Sequence, residues 1–255
     1  MIRFTRAALP AAATALALLA APVQAFDLSE MSDAERTAFG EQVRAYLLEN
    51  PEVIIEAVNV LEQRQAEAAA QEDGALVKAN LAELENDGYS WVGGNPEGDI
   101  TLVEFMDYRC GYCRKAAPEV AKLLKSDGNI RFVIKELPIL GDASVAASRF
   151  AIATKQVAGG EAYKQVHDAL IEFGGTPDEK SLRRIAEGLD LDADAILAQM
   201  DGSEVSQELE QTRALAQRMK ISGTPAFVLG GEVLRGYLPA DQLEAIADEV
   251  RSQQG

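Results

Sequence analysis

The 255-residue sequence has few of the side chains on which several common kinds of site depend. It contains two cysteines and one histidine, and its 24 Lys and Arg residues are outnumbered by 41 Asp and Glu residues. One pair of thiols is too few to staple a disulfide-rich scaffold, so the fold must be held together by packing. Because an acidic surface repels phosphate groups, the charge balance argues against nucleic acid as a partner.

Long apolar runs are missing after the first 25 residues. Arg3 and Arg6 precede an apolar run over residues 7–21, and a small-residue cleavage pattern ends at Ala25. Since that run is shorter than the roughly 20 residues that cross a bilayer, it predicts a secretory signal peptide over residues 1–25, cleaved near Ala25. Removal of the two arginines leaves 22 basic against 41 acidic residues, a formal charge of −19. We therefore expect a soluble, acidic protein outside the cytoplasm, in an oxidising compartment where disulfides persist.

Aromatic residues are scarce between residues 26 and 87, a segment rich in Ala, Glu and Gln. Ser32 and Glu35 form a capping-box signal, and apolar residues then recur at helical spacing. Three helical stretches are predicted, over about residues 32–50, 51–70 and 75–84. The apolar stripes on the first two need a partner, which is either their own domain or further copies of the chain. We interpret residues 26–87 as an all-helical oligomerisation segment.

After this segment the pattern changes to alternating strands and helices. A near-continuous apolar run over residues 100–106 is typical of a strand buried on both faces. A helical run and a second strand follow it, which makes a βαβ unit. Helical patterns occupy about residues 142–220, and two strands joined at Gly230-Gly231 precede a last helix. The sequence therefore predicts an α/β domain over residues 88–255 with a helical insertion.

The two cysteines lie together in the run CGYC, directly after the first buried strand and at the start of a helix. The first thiol of such a pair sits at the helix N-terminus, where free N–H groups and the helix dipole favour the thiolate over the thiol. This placement identifies Cys110 as the nucleophile. Cys113 lies nearly one turn further on, where it can attack a mixed disulfide at Cys110 and release the product.

A CxxC pair can also close a loop or bind a metal. A structural zinc site needs four nitrogen or sulfur donors, and the lone His167 lies in a distant helical stretch that makes it most simply a polar helix residue. A short loop gains little from being closed by a disulfide. Two thiolates can hold copper(I), so copper sequestration remains the alternative function. No cofactor or metal is expected beyond the redox-active disulfide Cys110–Cys113.

The runs LVEFMDYRCGYC and SGTPAF, with a helical insertion between them, resemble the DsbA family of thioredoxin-fold thiol-disulfide oxidoreductases. The helical segment and the lead-in WVGGNPEGDITLVEF are most similar to its ScsC, or suppressor-of-copper-sensitivity, branch. The resemblance implies a thioredoxin fold, exported protein substrates with cysteines and a membrane redox partner of unknown identity. It also implies a homo-oligomer, with a trimer favoured. Oxidase and isomerase directions both remain open.

The resemblance also implies which residues bind the substrate. The family places a cis-proline beside its active cysteines, and the matching position is Pro225. The backbone at Thr224 would then pair with an extended substrate strand. Gly111 and Tyr112, between the two cysteines, are the other predicted substrate-binding residues. Because Tyr112 stands where the DsbA type has histidine, the disulfide is expected to be less strongly oxidising.

Glu104 is the third predicted catalytic residue, beside Cys110 and Cys113. It stands inside an apolar strand, where a carboxylate is costly to bury unless it is paired or protonated, although a solvent-facing position is the alternative. The family has a buried acid here, which implies that Glu104 exchanges protons with Cys113. From the expected strand register we predict Lys135 as its ion-pair partner.

Overall fold

The computed structural model of the chain describes residues 31–254. The predicted signal peptide and its cleavage point lie outside the described residues. None of the helices in residues 31–254 is long and apolar enough to cross a membrane. The chain divides into two compact units between Leu61 and Glu62.

The first unit contains helix α1 (Asp33–Glu49) and the beginning of helix α2 (Glu52–Glu85). The Ser32 hydroxyl accepts a hydrogen bond from the Glu35 amide, and the Glu35 carboxylate accepts one from the Ser32 amide at 2.8 Å. This reciprocal pair is the capping box that the sequence predicts. No residue of α1 is buried.

Helix α2 continues without interruption for 34 residues. The break predicted between about residues 70 and 75 is therefore wrong. One glycine, Gly74, lies at this point, and a glycine inside a helix costs only about 1 kcal/mol relative to alanine. Burial of Asp73 and Val77 next to it holds the helix in place.

The second unit is built on a five-stranded mixed sheet in the order β1-β3-β2-β4-β5. Its strands are β1 (Trp91–Gly94), β2 (Ile100–Met106), β3 (Ile130–Glu136), β4 (Ala226–Leu229) and β5 (Glu232–Arg235). Strands β2 and β3 are parallel, and every other neighbouring pair is antiparallel. The remaining helices are α3 (Gly111–Asp127), α4 (Asp142–Glu172), α5 (Glu179–Gly188), α6 (Ala193–Gln199), α7 (Ser203–Arg218) and α8 (Ala240–Gln254). The predicted α/β fold, a thioredoxin fold with helices inserted between two strands, is confirmed.

Successive side chains on a strand point to opposite sides of the sheet, and each side is covered by a separate hydrophobic cluster. On β2, Leu102 and Met106 join a cluster with α3, α4 and α8. Val103 and Phe105 join a second cluster with α7 and with the end of α2. Val77 and Leu84 of α2 are part of that second cluster.

The end of α2 therefore belongs to the sheet-containing unit. The sequence predicts a boundary at residue 87, where α2 has just ended, whereas the compact units divide at residues 61 and 62. The difference arises because the predicted boundary followed composition. Composition does not reveal that Val77 and Leu84 are buried against the sheet.

Candidate active site

Both cysteines lie at the N-terminus of α3, directly after the carboxyl end of β2. Cys110 is the N-cap residue of the helix, with extended backbone angles, and Cys113 lies in the first turn. Both are free thiols, with relative exposures of 8% for Cys110 and 1% for Cys113. The sulfur at the helix end is thus the more accessible of the two.

The loop that precedes β4 lies against Cys110. The Thr224–Pro225 peptide bond is cis, as the resemblance implies. The Cys110 thiol donates a hydrogen bond to the Thr224 carbonyl oxygen at 3.1 Å. The structure therefore brings Cys110, Thr224 and Pro225 together. Tyr112, two residues after Cys110, has 64% of its surface exposed. The roles of Gly111, Tyr112, Thr224 and Pro225 in substrate binding stay predictions.

Cys113 occupies an environment that disfavours its thiolate. Burial raises the pKa of Cys113 well above that of a free thiol, and the negative charge of Glu104 raises it further. Hydrogen bonds from the Asp107 backbone and with Thr224 act in the opposite direction but do not outweigh burial. A Cys113 thiolate released in thiol-disulfide exchange is therefore unfavourable at neutral pH and is expected to take up a proton as it forms.

Glu104 is buried, so the solvent-facing alternative for this residue is wrong. It borders a cavity of about 100 Å³ between α3 and α4, with Lys164 and Asp168 at its partly exposed edge. Burial, together with the nearby charge of Glu136, raises the pKa of Glu104 to about 8. Its carboxyl is therefore mainly protonated at neutral pH and can donate a proton.

The predicted ion pair between Glu104 and Lys135 is wrong. In the parallel register of β2 and β3, Glu104 lies opposite Ile134 and Lys135 lies opposite Phe105. The two side chains therefore point to opposite faces of the sheet. Lys135 is fully buried on the other face, where its ammonium group forms an ion pair with Asp87 and donates to the Glu83 carbonyl oxygen at 2.7 Å.

Two arginines to which the sequence assigns no role hold a loop next to the cysteines. Arg109 donates to the Gly175 carbonyl oxygen at 2.7 Å, and Arg114 donates to the Phe173 carbonyl oxygen at 2.6 Å. Arg114 also donates to the Tyr108 carbonyl oxygen at 3.0 Å. These contacts tie the loop after α4 to the start of α3.

A buried polar cluster that includes Tyr108, two residues before Cys110, was also not predicted from the sequence. It contains Glu136, Tyr108, Tyr163, Ser148 and His167. His167 is buried rather than on a polar helix surface, and burial lowers its pKa to about 4. Glu136 stands at the end of an apolar strand, which is a signal that sequence reasoning had used for Glu104. Over residues 31–254 we find no group of three or more His, Cys, Asp and Glu side chains arranged to hold a metal.

The different environments of the two thiols predict different reactivities. In the reduced protein at pH 7, iodoacetamide should modify Cys110 and leave Cys113 intact until the protein is denatured, because Cys113 is buried and its pKa is raised. Fragmentation mass spectrometry of the alkylated peptide distinguishes the two positions. A Cys113→Ser variant should be labelled at the wild-type rate, and equal labelling of both thiols would contradict the assignment.

Comparison with known proteins agrees with this architecture. A thioredoxin-like oxidoreductase from Silicibacter pomeroyi is 40% identical, with a TM-score of 0.63, over 67% of this chain and 97% of that chain. BcfH from Salmonella enterica Typhimurium is 30% identical, with a TM-score of 0.71, over 86% of this chain and 96% of that chain. The Na⁺/H⁺ antiporter NhaA 3 of Salinispora tropica is 32% identical over 154 residues, which are 60% of this chain but 24% of the antiporter. The chain thus spans about a quarter of the length of this curated relative.

The fold and the Cys110–Cys113 dithiol after the end of β2 define a thioredoxin-fold protein with a CxxC motif at a helix N-terminus. Residues 101–251, more than half of the chain, match the DSBA-like thioredoxin domain, and the chain belongs to this family. Residues 35–68 match the N-terminal domain of the copper resistance protein ScsC. The resemblance inferred from the sequence is therefore confirmed.

Proposed function

We propose that the chain is a periplasmic thiol-disulfide oxidoreductase that acts on cysteines of exported proteins as a disulfide isomerase or oxidase. One observation carries the proposal: the Cys110 sulfur lies at the N-terminus of α3, 3.1 Å from the Thr224 carbonyl oxygen of the cis-proline loop. The sulfur at the helix end is the more accessible of the two thiols, and the adjacent backbone offers pairing to an extended substrate. The signal-peptide pattern in residues 1–25 supports export.

In the oxidising direction, a substrate thiolate attacks the Cys110 sulfur of the Cys110–Cys113 disulfide. The bond between the two cysteines breaks, its electron pair passes to the Cys113 sulfur, and Glu104 supplies a proton there. A second substrate thiolate then attacks the mixed disulfide and releases the Cys110 thiolate. The substrate has lost two electrons, and the protein pair has gained them.

In the isomerising direction, the Cys110 thiolate attacks a non-native disulfide and holds one substrate sulfur in a mixed disulfide. The other substrate sulfur leaves as a thiolate. A different substrate thiolate then displaces Cys110, so no net oxidation occurs. This direction requires the active pair to be kept reduced, and we propose a membrane protein as its redox partner.

We further propose that the first unit makes the protein a homo-oligomer, with a trimer favoured. Nine large apolar side chains of α1 and the first part of α2 are each at least 41% exposed in the single chain. They are Phe39, Val43, Tyr46, Leu48, Ile54, Ile55, Val58, Val60 and Leu61. Association of these surfaces between copies would remove them from water. The match of residues 35–68 to the ScsC N-terminal domain supports the resemblance from which the trimer is inferred.

The test of the dithiol chemistry uses the two cysteine variants with scrambled ribonuclease. Cys113→Ser should accumulate a mixed disulfide at Cys110, because the thiol that would release it is missing. The adduct is measured as added mass that dithiothreitol removes, and Cys110→Ser should form none. Absence of an adduct and of any ribonuclease reactivation by wild type, combined with tight copper(I) binding, would replace the proposal with copper sequestration.

A further inference from the structure

Glu136 is a buried carboxylate at the end of β3 that is held by hydroxyl groups. Tyr163 donates to it at 2.6 Å, Tyr108 at 2.7 Å and Ser148 at 2.8 Å. The Tyr108 oxygen also lies 3.1 Å from Nδ1 of His167. Because the single Tyr108 proton is directed to Glu136, the Nδ1 atom of His167 must carry the proton of that second contact. Three hydroxyl donors therefore converge on one carboxylate with 3% exposure.

Glu104 lies on the same face of the sheet. Glu136 is opposite Met106 in the parallel register, and Glu104 is two residues before Met106, so both carboxyl groups point to the cluster between the sheet and α3 and α4. Within the described residues, burial and the charge of Glu136 account for the raised pKa of Glu104, and no hydrogen bond to its carboxyl contributes. The two acids thus differ in the donors around them.

This difference decides which acid carries the proton at neutral pH. Burial raises the pKa of Glu136 to about 7, against the opposing effect of its three hydroxyl donors, whereas the pKa of Glu104 is raised to about 8. Two nearby buried carboxyl groups cannot both ionise freely, so the negative charge goes to Glu136, which accepts three hydrogen bonds. The other titratable and charged groups that face the pair are Cys113 from α3, Lys164, His167 and Asp168 from α4, and Glu208 from α7.

Resting on the proposed function, we propose that Glu136, with Tyr108, Tyr163 and Ser148, is a positioning cluster that keeps the proton on Glu104. When a substrate thiolate opens the Cys110–Cys113 disulfide, that proton passes from the Glu104 carboxyl to the Cys113 sulfur. Glu104 becomes a carboxylate, Cys113 becomes a neutral thiol, and the electron pair of the broken bond stays on Cys113. Glu136 does not touch the reacting sulfurs and acts through Glu104.

The proposal is tested first by infrared difference titration of the buried carboxyl groups. In Glu136→Gln, the Glu104 carboxyl should lose its proton roughly one pH unit lower than in wild type, because a neighbouring negative charge has been removed. Tyr163→Phe should shift the same transition in the same direction by less, since one of the three donors to Glu136 is lost. Glu104→Gln assigns the Glu104 transition by removing it.

Thr154→Val is a matched control on α4, because the buried Thr154 hydroxyl bonds to the Phe150 carbonyl oxygen and not to Glu136. It should leave the transition where wild type has it. An unchanged Glu104 midpoint in both Glu136→Gln and Tyr163→Phe would overturn the proposal. Tyr163→Phe decides the question by itself if the Glu136→Gln protein does not fold.

A second readout separates this inference from the proposed function. At pH 8 the disulfide form of Glu136→Gln should oxidise a dithiol peptide about fivefold more slowly than wild type, and at pH 6 the two rates should be the same. The reason is that lowering the pKa of Glu104 by one unit changes its protonated fraction strongly near pH 8 and very little at pH 6. A purely structural role would lower the rate equally at both pH values, which would overturn the inference. If wild type oxidises no dithiol at any pH, the proposed function fails, and the infrared midpoints still decide whether Glu136 controls Glu104.

Discussion

Deletion of residues 26–61 is expected to give a folded monomer that keeps its dithiol chemistry and loses its disulfide-shuffling activity. The deletion removes the exposed apolar surfaces of α1 and early α2 and leaves the compact unit from Glu62 to Gly255. An isomerase must hold a substrate by a mixed disulfide while another thiol attacks. Several active sites facing one space raise the effective concentration of reactive thiolate. A single catalytic unit transfers its disulfide and dissociates.

A longer deletion, of residues 26–86, makes the matched comparison. It also removes Val77 and Leu84, which are at most 3% exposed and complete the core on one face of the sheet. Truncation of a buried leucine alone costs about 2–5 kcal/mol, so this shorter protein should be strongly destabilised. Deletion of residues 26–86 would therefore not distinguish loss of folding from loss of oligomerisation, whereas deletion of residues 26–61 does.

Light scattering, urea unfolding, insulin reduction and reactivation of scrambled ribonuclease measure, in that order, oligomeric state, folding, dithiol chemistry and isomerase activity. We expect the full mature chain to be oligomeric at micromolar concentration and the 26–61 deletion to be monomeric with unchanged insulin reduction. A monomeric full chain would contradict the oligomer. Equal reactivation of ribonuclease by the two proteins would show that isomerase activity does not depend on oligomerisation.

Local patterns were sufficient to predict the α/β core and the cysteine site. The apolar run over residues 100–106 and the CGYC motif after it are contiguous in sequence, so the strand, the helix N-terminus and the position of the two cysteines follow from neighbouring residues. The turn at Gly230-Gly231 was also predicted. Both glycines have positive φ angles, 60° and 97°, which few other residues adopt at low cost.

Features that depend on long-range register could not be predicted in the same way. Lys135 was assigned to Glu104 because β2 and β3 were expected to be neighbours, but a shift of one position moves a side chain to the opposite face. The donors to Glu136 come from the loop before α3 and from two separate turns of α4. Sequence spacing contains no information about their convergence on one carboxylate.

The reduced Glu104→Gln protein is expected to be more stable than wild type at pH 7, by on the order of 3 kcal/mol. The pKa of Glu104 is about 8 in the folded protein, against 4.5 for the unperturbed group. Between these values the unfolded chain has lost the proton that the folded protein still holds, so the free energy of unfolding falls as pH rises, by about 1.4 kcal/mol per pH unit. Glutamine stays neutral throughout and avoids this loss.

The stabilising effect of glutamine is therefore expected to depend on pH in a defined window. It should be near zero at about pH 4.5, grow up to about pH 8 and remain constant above that, as measured by urea unfolding of both proteins in the presence of a reductant. A difference that is constant from pH 4.5 to 8 would show that Glu104 is not a buried acid with a raised pKa. The same variant should slow the release of Cys113 below about pH 8, where wild-type Glu104 holds its proton, because the amide has no acidic proton to transfer, and the difference should disappear at higher pH. If both effects are observed, the proton requirement of Cys113 explains why a carboxyl that weakens the fold at neutral pH lies at this position.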